Sequence, residues 1–401
     1  MNGFWRYAFV CALTAMALLF AMGDVVAAPV NPQVLHAFCH PAEGCTAEQD
    51  TFGFGAQGIV AGSDGAYYGT TAYSNTIHDE NGNIDAGGSV YRADPTTHKV
   101  SVLYQFPEGY YPTSWLKVGS DGNLYGGYRH AVNANADWLS DGFFRLSLDG
   151  EFKIIFDETK VEGFACNAPV QDSLGNWVGT TSNYYGLRQG LDFIYKITPG
   201  GEFKILHTLA ARQAFDCPNY EPVLAADGNV YGIIMEHALG NTGAIYRLAP
   251  DETFTVLYTF NDKTDGLPMT PLTVGPDGAL YGLARPDSVD WKHMTMYRIS
   301  LDGQFINLGD LAPDAGRFFT DLKMTLMPDG YFYGPYPGNG IFRLSNAGEL
   351  TILYSSSGSQ FGPQGISPLI RGFDNALYGT SFYGAKLVGG ALFRYVPPPV
   401  Q

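Results

Sequence analysis

The sequence predicts an all-β fold, a seven-bladed β-propeller of four-stranded blades, from three observations: a unit that recurs seven times, an apolar/polar alternation inside each unit, and complementary chain ends. The unit reads Asp-Gly-x-x-Tyr-Gly. It stands at Asp64-Gly65 with Tyr68-Gly69, and again from Asp121, Asp227, Asp277 and Asp329. Degenerate copies have Leu174-Gly175 with Val178-Gly179, and Asp374-Asn375 with Tyr378-Gly379. The closing glycines are 57, 53, 53, 50, 52 and 45 residues apart, a period that suits propeller blades.

Within each unit four short apolar segments, A to D, alternate in the manner of strands with two distinct faces. In the first unit A lies near Gly58 to Ala61, B at Tyr67 to Thr71, C at Val90 to Ala93 and D at Val100 to Phe106. The Asp-Gly pair closes the A-to-B hairpin because glycine accepts the positive φ such turns need. The seventh unit stops after C, where Pro397, Pro398 and Pro399 block a further strand, while Val34 to Phe38 reads as a spare D strand ahead of the first A. Pairing the two closes the ring and removes an open sheet edge, which a linear solenoid would not do.

Composition bounds the function. Of 401 residues 45% are hydrophobic and 15% charged, enough apolar material for a core, and 50 Gly, 26 Tyr and 26 Phe favour strands and tight turns. The formal net charge of −16 repels phosphate backbones, so no nucleic-acid partner is expected. A basic start through Arg6 and an uncharged run from Tyr7 to Met22 predict a signal peptide over residues 1–27, cut after Ala27. Residues 28–401 would then form a single propeller domain, secreted or periplasmic, monomeric and without a membrane span. In an oxidising compartment Cys39, Cys45, Cys166 and Cys217 are expected to form two disulfides, and proximity favours Cys39 with Cys45 and Cys166 with Cys217.

The units resemble the extracytoplasmic tandem repeats called GloVer repeats, through Gly62-Ser63-Asp64-Gly65, Tyr68-Gly69-Thr70-Thr71, Ser89-Val90-Tyr91-Arg92 and Val102-Leu103-Tyr104-Gln105-Phe106. The resemblance implies a propeller-like fold and export, and supplies no catalytic residues. Members often carry a C-terminal surface anchor; this sequence ends at Gln401 soon after its last strand, so no sorting tail is expected.

Strand parity places the long B-to-C and D-to-A connections on one face, and loops on a rigid scaffold are where function concentrates. Four of the eight histidines, His78, His130, His237 and His293, fall in the B-to-C loops, and Arg129 and Arg285 fall there too. Histidine and tyrosine suit proton transfer beside a carboxylate, and arginine suits holding it. A carbohydrate-active protein follows, with a lyase that cleaves a uronic-acid-containing polysaccharide by β-elimination as its enzymatic form. His130, His237 and His293 are the candidate acids or bases, Tyr184 the acid, and Arg129 or Arg188 the carboxylate clamp. Trp291, Tyr383, Arg285 and Lys386 are candidate substrate contacts.

Two alternatives stand beside this reading. A non-catalytic carbohydrate- or protein-binding scaffold would use Trp115, Trp138, Trp291 and Tyr383 as stacking surface. A glycoside hydrolase would use two loop carboxylates among Asp137, Asp141, Asp192, Glu236, Asp287 and Asp290. Asp79, Asn81, Asn83 and Asp85 alternate around Gly82 and make Ca2+ the one candidate cofactor, although the distal glutamate of a calcium loop is missing. The arginine of each C strand, from Arg92 to Arg394 with Lys196 in the third unit, recurs in every blade and is expected to snorkel or to pair between blades.

Overall fold

A computed structural model describes residues 31–38, 54–73, 87–107, 109–131, 138–157, 167–181, 193–209, 220–234, 243–261, 263–285, 294–311, 323–336, 340–355, 366–381 and 389–400. All regular structure in these segments is β. Strand β1 (Gln33–Ala37) precedes blade 1, which consists of β2 (Phe54–Ala61), β3 (Tyr67–Tyr73), β4 (Ser89–Ala93) and β5 (Val100–Gln105). Blade 2 is longer, with β6 (Tyr110–Val118), β7 (Leu124–Ala131), β8 (Trp138–Leu146) and β9 (Phe152–Asp157). Blade 3 holds β10 (Val170–Gln171), β11 (Trp177–Thr180), β12 (Phe193–Ile197) and β13 (Phe203–Thr208). Blade 4 holds β14 (Val223–Leu224), β15 (Val230–Ile234), β16 (Ala244–Leu248) and β17 (Phe254–Thr259). In blade 5 the first strand comes in two pieces, β18 (Leu267–Pro268) and β19 (Thr273–Val274), ahead of β20 (Leu280–Arg285), β21 (Met294–Ile299) and β22 (Phe305–Leu311). Blade 6 has β23 (Thr325–Leu326), β24 (Phe332–Tyr336), β25 (Gly340–Leu344) and β26 (Leu350–Tyr354), and blade 7 has β27 (Ile370–Arg371), β28 (Leu377–Ser381) and β29 (Ala391–Tyr395).

Blade 7 takes its fourth strand from the other end of the chain, in the order β1-β29-β28-β27. Val34 pairs with Phe393 and Ala37 with Ala391, and the Phe38 amide donates to the Gly390 carbonyl at 2.9 Å. The seven-bladed propeller and its closure by the N-terminal strand are therefore as the sequence predicts. First strands of neighbouring blades touch around the axis, β2 with β6, β10 with β14, β19 with β23 and β23 with β27, and β2 meets β27 across the closure.

Two features of the repeat now have causes. The glycine that ends Asp-Gly-x-x-Tyr-Gly lies opposite the aromatic residue of the third strand: Gly69 pairs with Tyr91, Gly126 with Phe144 and Gly232 with Tyr246. The ring lies over the bare backbone, so a Cβ at Gly232 would stand 2.5 Å from Cζ and the hydroxyl of Tyr246, a side chain with no exposed surface. Gly232→Ala is expected to cost about 1–3 kcal/mol through overpacking, read as a lower urea midpoint at unchanged slope. The turn glycines need their freedom for another reason, with φ between +77° and +85° at Gly65, Gly122, Gly175, Gly228, Gly278 and Gly330.

The turn aspartate also anchors the blade. Its Oδ2 accepts from the tyrosine four residues on, at 2.9 Å in Tyr68 to Asp64 and 2.7 Å in Tyr231 to Asp227. It also meets the third-strand arginine, as in Asp64–Arg92 at 3.1 Å, Asp121–Arg145 at 3.2 Å, Asp277–Arg298 at 2.7 Å and Asp374–Arg394 at 2.6 Å. These four pairs lie within a blade, which corrects the expectation of pairing between blades for these arginines: strand register sets Tyr68 beside Arg92, within reach of the aspartate that opens the same hairpin. Arg343 of blade 6 does reach the Pro398 carbonyl beyond β29 of blade 7. Blade 3 differs because Leu174 replaces the aspartate, and there Lys196 reaches Glu252 of blade 4.

Blade-to-blade packing is largely aromatic. Tyr104 stacks on Phe152 at 4.3 Å, Phe156 on Phe203 at 4.6 Å and Tyr258 on Phe305 at 4.3 Å. Each such pair is worth about 0.5–1.5 kcal/mol beyond the area it buries. Third strands read as nearly continuous apolar runs because a neighbouring blade covers each face.

Candidate functional site

The extra length of blade 2 places two of the sequence candidates. The sequence pattern places Arg129 and His130 in a loop, yet they sit on β7, because β6 and β8 run on beside them. His130 pairs with Tyr110 on one side and Ser140 on the other, and Arg129 with Tyr111 and Asp141. The imidazole of His130 stacks on the Tyr110 ring at 4.2 Å with 17° between planes. Both Arg129 and His130 are half-buried.

Arg285 also ends a strand and not a loop, as the last residue of β20. Counted from the repeat glycines Gly126 and Gly282, Arg129 and Arg285 occupy the same position, three residues on; the other blades have Ala72, Ser182, Met235, Pro337 and Phe382 there. Blades 2 and 5 stand on opposite sides of a seven-membered ring, so two arginines mark opposite sides of its loop face. Arg285 is 8% exposed.

Trp115, expected on a stacking rim, is half-buried in β6, the inner strand of blade 2, and packs on Phe143 at 6.1 Å. Trp138 and Asp141 lie on β8. His237, His293, Tyr184, Arg188, Trp291, Tyr383 and Lys386 lie outside the described residues, as do the four cysteines and the calcium candidates Asp79, Asn81, Asn83 and Asp85. So does the signal segment 1–27.

The main cluster of charge is one that the sequence reading passed over. Lys117 of β6, Glu221 just before β14 and Lys323 just before β23 meet, both ammonium groups donating to Glu221 Oε1. These residues come from blades 2, 4 and 6. Blades that are not neighbours can touch only across the axis, so the cluster spans the central channel. Water reaches it along that channel, with side-chain exposures of 23% for Lys117, 17% for Glu221 and 36% for Lys323.

Burial opposes the charge on Glu221, but the two ammonium groups outweigh it and bring its pKa down to about 2. For Lys117 burial wins: it lowers the pKa to about 8, Lys323 adding to the effect while Glu221 resists it. Lys323 is held above its ordinary value, the pull of Glu221 exceeding the cost of burial. At neutral pH the cluster carries two positive charges against one negative.

A signal for it existed. Aligned on the turns, Glu221 and Lys323 replace Gly58, Trp115, Ala168, Pro271 and Pro368, and Lys117 replaces Val60, Val170, Val223, Thr273, Thr325 and Ile370. Charges confined to single inner strands cannot serve a need that every blade shares.

The comparisons bear on family and fold. Residues 218–400 match the Gloeobacter/Verrucomicrobia repeat. That repeat is the one the sequence resembles, and the match spans blades 4 to 7. No curated protein matches the sequence. Among solved structures, an oligogalacturonate lyase from Vibrio parahaemolyticus is similar with a TM-score of 0.54 and 13% identity over 85% of this chain and 96% of that one. An oligogalacturonate lyase in complex with manganese gives 0.52 and 13% over 87% and 98%. A fungal alcohol oxidase of the AA5 family, in complex with copper, gives 0.53 and 10% over 87% and 75%. At such identities the likeness is one of fold. Among the described residues no group of three or more His, Cys, Asp or Glu side chains could hold a metal ion, and no helix is long and apolar enough to cross a membrane.

Proposed function

We propose that this is an exported carbohydrate-active propeller that engages a uronic-acid-containing polysaccharide at its loop face. The observation that carries the reading is Arg129, half-buried near the loop end of β7, with the half-buried His130 stacked on Tyr110 beside it. Arginine is the side chain best shaped to hold a carboxylate by two parallel bonds. Local cations matter here because the overall charge of −16 repels an acidic ligand. The oligogalacturonate lyases of similar fold support the same ligand class.

In the catalytic form of the reading, β-elimination, His130 takes the proton from C5 of the uronate. Its electrons form the C4–C5 double bond, the bond from C4 to the glycosidic oxygen breaks, and Tyr184, the candidate acid, gives its proton to that oxygen. Arg129 neutralises the carboxylate as negative charge builds at C5.

The test incubates the purified protein with oligogalacturonate and with neutral glucans, with and without calcium or manganese, following unsaturated-uronate absorbance and reducing ends together. Both signals should rise on the acidic substrate alone. Arg129→Ala should weaken oligogalacturonate binding at least ten-fold, the loss of about 1.5–3 kcal/mol in charged hydrogen bonds, and His130→Ala should bind normally while the absorbance stays flat. Binding without either signal would leave a recognition module, and equal binding of neutral and acidic chains would end the uronate assignment.

A further inference from the structure

We infer that the central channel contains a second site, separate from the loop face, which binds a small carboxylate of formate or acetate size between Lys117 and Lys323. Three facts lead there. The cluster has one more cation than anion and is only partly exposed, and partial burial makes an uncompensated charge costlier than at the open surface and favours a counter-ion. Each ammonium group carries three N–H donors and spends one on Glu221 Oε1, which leaves donors on both lysines. Glu221 itself demonstrates the geometry, because a single carboxylate oxygen already fits between the two ammonium groups.

The site is also reachable. Lys323 is 36% and Lys117 23% exposed, although inner strands flank them. The only other charged side chain in the described first strands, Arg371, is occupied by Asn375 Oδ1 at 2.7 and 2.9 Å. A bound carboxylate would balance the charge and tie blades 2 and 6 together through a second bridge beside Glu221.

The experiment titrates sodium acetate against sodium chloride at constant ionic strength and pH 7, by calorimetry and by thermal unfolding. Wild-type protein should show saturable heat and a saturable rise of about 2 °C or more in Tm with acetate over chloride. Lys323→Arg should keep both. Lys323→Met should bind at least ten-fold more weakly, and it is expected to fold because Lys117 and Glu221 remain a neutral pair; if it does not, Lys323→Gln serves the same purpose. No saturable response in the wild type, an equal response to chloride, or an undiminished response in the folded Met or Gln variant would each overturn the site.

Discussion

Glu221→Ala should lower the unfolding free energy by about 2–4 kcal/mol, at or below the usual range for breaking a buried ion pair because water reaches the channel. The variant leaves two ammonium groups facing each other across the axis with nothing between them. Replacing all three residues at once, Lys117→Met with Glu221→Leu and Lys323→Met, should cost far less, since removing a buried charge cluster is cheaper than orphaning half of it. Urea unfolding of the two variants side by side gives the check, and a triple variant weaker than the single one would count against the account. The acid side offers an independent reading. Glu221 has its folded-state pKa lowered to about 2 from 4.5, so its contribution is complete above pH 4.5 and drains away as pH falls toward 2. Between those limits the unfolded chain binds the extra proton. Tm of the wild type should therefore fall more steeply over this window than that of Glu221→Gln, which has no carboxylate to protonate.

Removing residues 1–38 should be at least as damaging. The truncated chain loses β1 and with it the fourth strand of blade 7, and β29 becomes an open edge ready to pair with another molecule. It also loses Phe38, 2% exposed and 5.1 Å from the Tyr91 ring, together with the half-buried Val34 and Leu35 packed against the first and last blades. Burial of a large apolar side chain is worth about 1.5–3 kcal/mol, so about 5 kcal/mol of closure disappears. The expected product is aggregated, or monomeric with Tm lowered by about 6 °C for a loss of that size. A synthetic peptide covering residues 31–38, added during refolding, should restore the monomer. A truncated chain that unfolds like the full one would show that the last blade stands without its borrowed strand.

Much of this architecture was legible because its causes are local. A positive φ at Gly65 or Gly228, a ring over Gly232 and a hairpin closed by Asp-Gly each involve residues a few positions apart or paired across one hairpin, and each leaves its mark in every repeat. The seven glycines therefore predicted seven blades, and the spare strand at Val34 to Phe38 predicted the closure. Arg129, His130 and Arg285 lie on strands and not in loops for a related reason. Strand length is set by pairing with neighbours, β6 and β8 beside β7 in blade 2 and β18 beside β20 in blade 5, whereas a repeat count assigns all blades the same length.

The sequence by itself determined the repeat, the alternation that makes strands, the turns and the complementary ends, since these depend on short-range sterics and on the two-residue period of a strand. Only the tertiary structure decided which charges meet. Lys117 and Lys323 lie 104 and 102 residues from Glu221 along the chain. They converge because seven wedges close a circle and point their first strands at one axis. Nothing in the local pattern of blades 2, 4 and 6 requires that encounter, and it is the angle between blades that brings the two ammonium groups to one carboxylate oxygen.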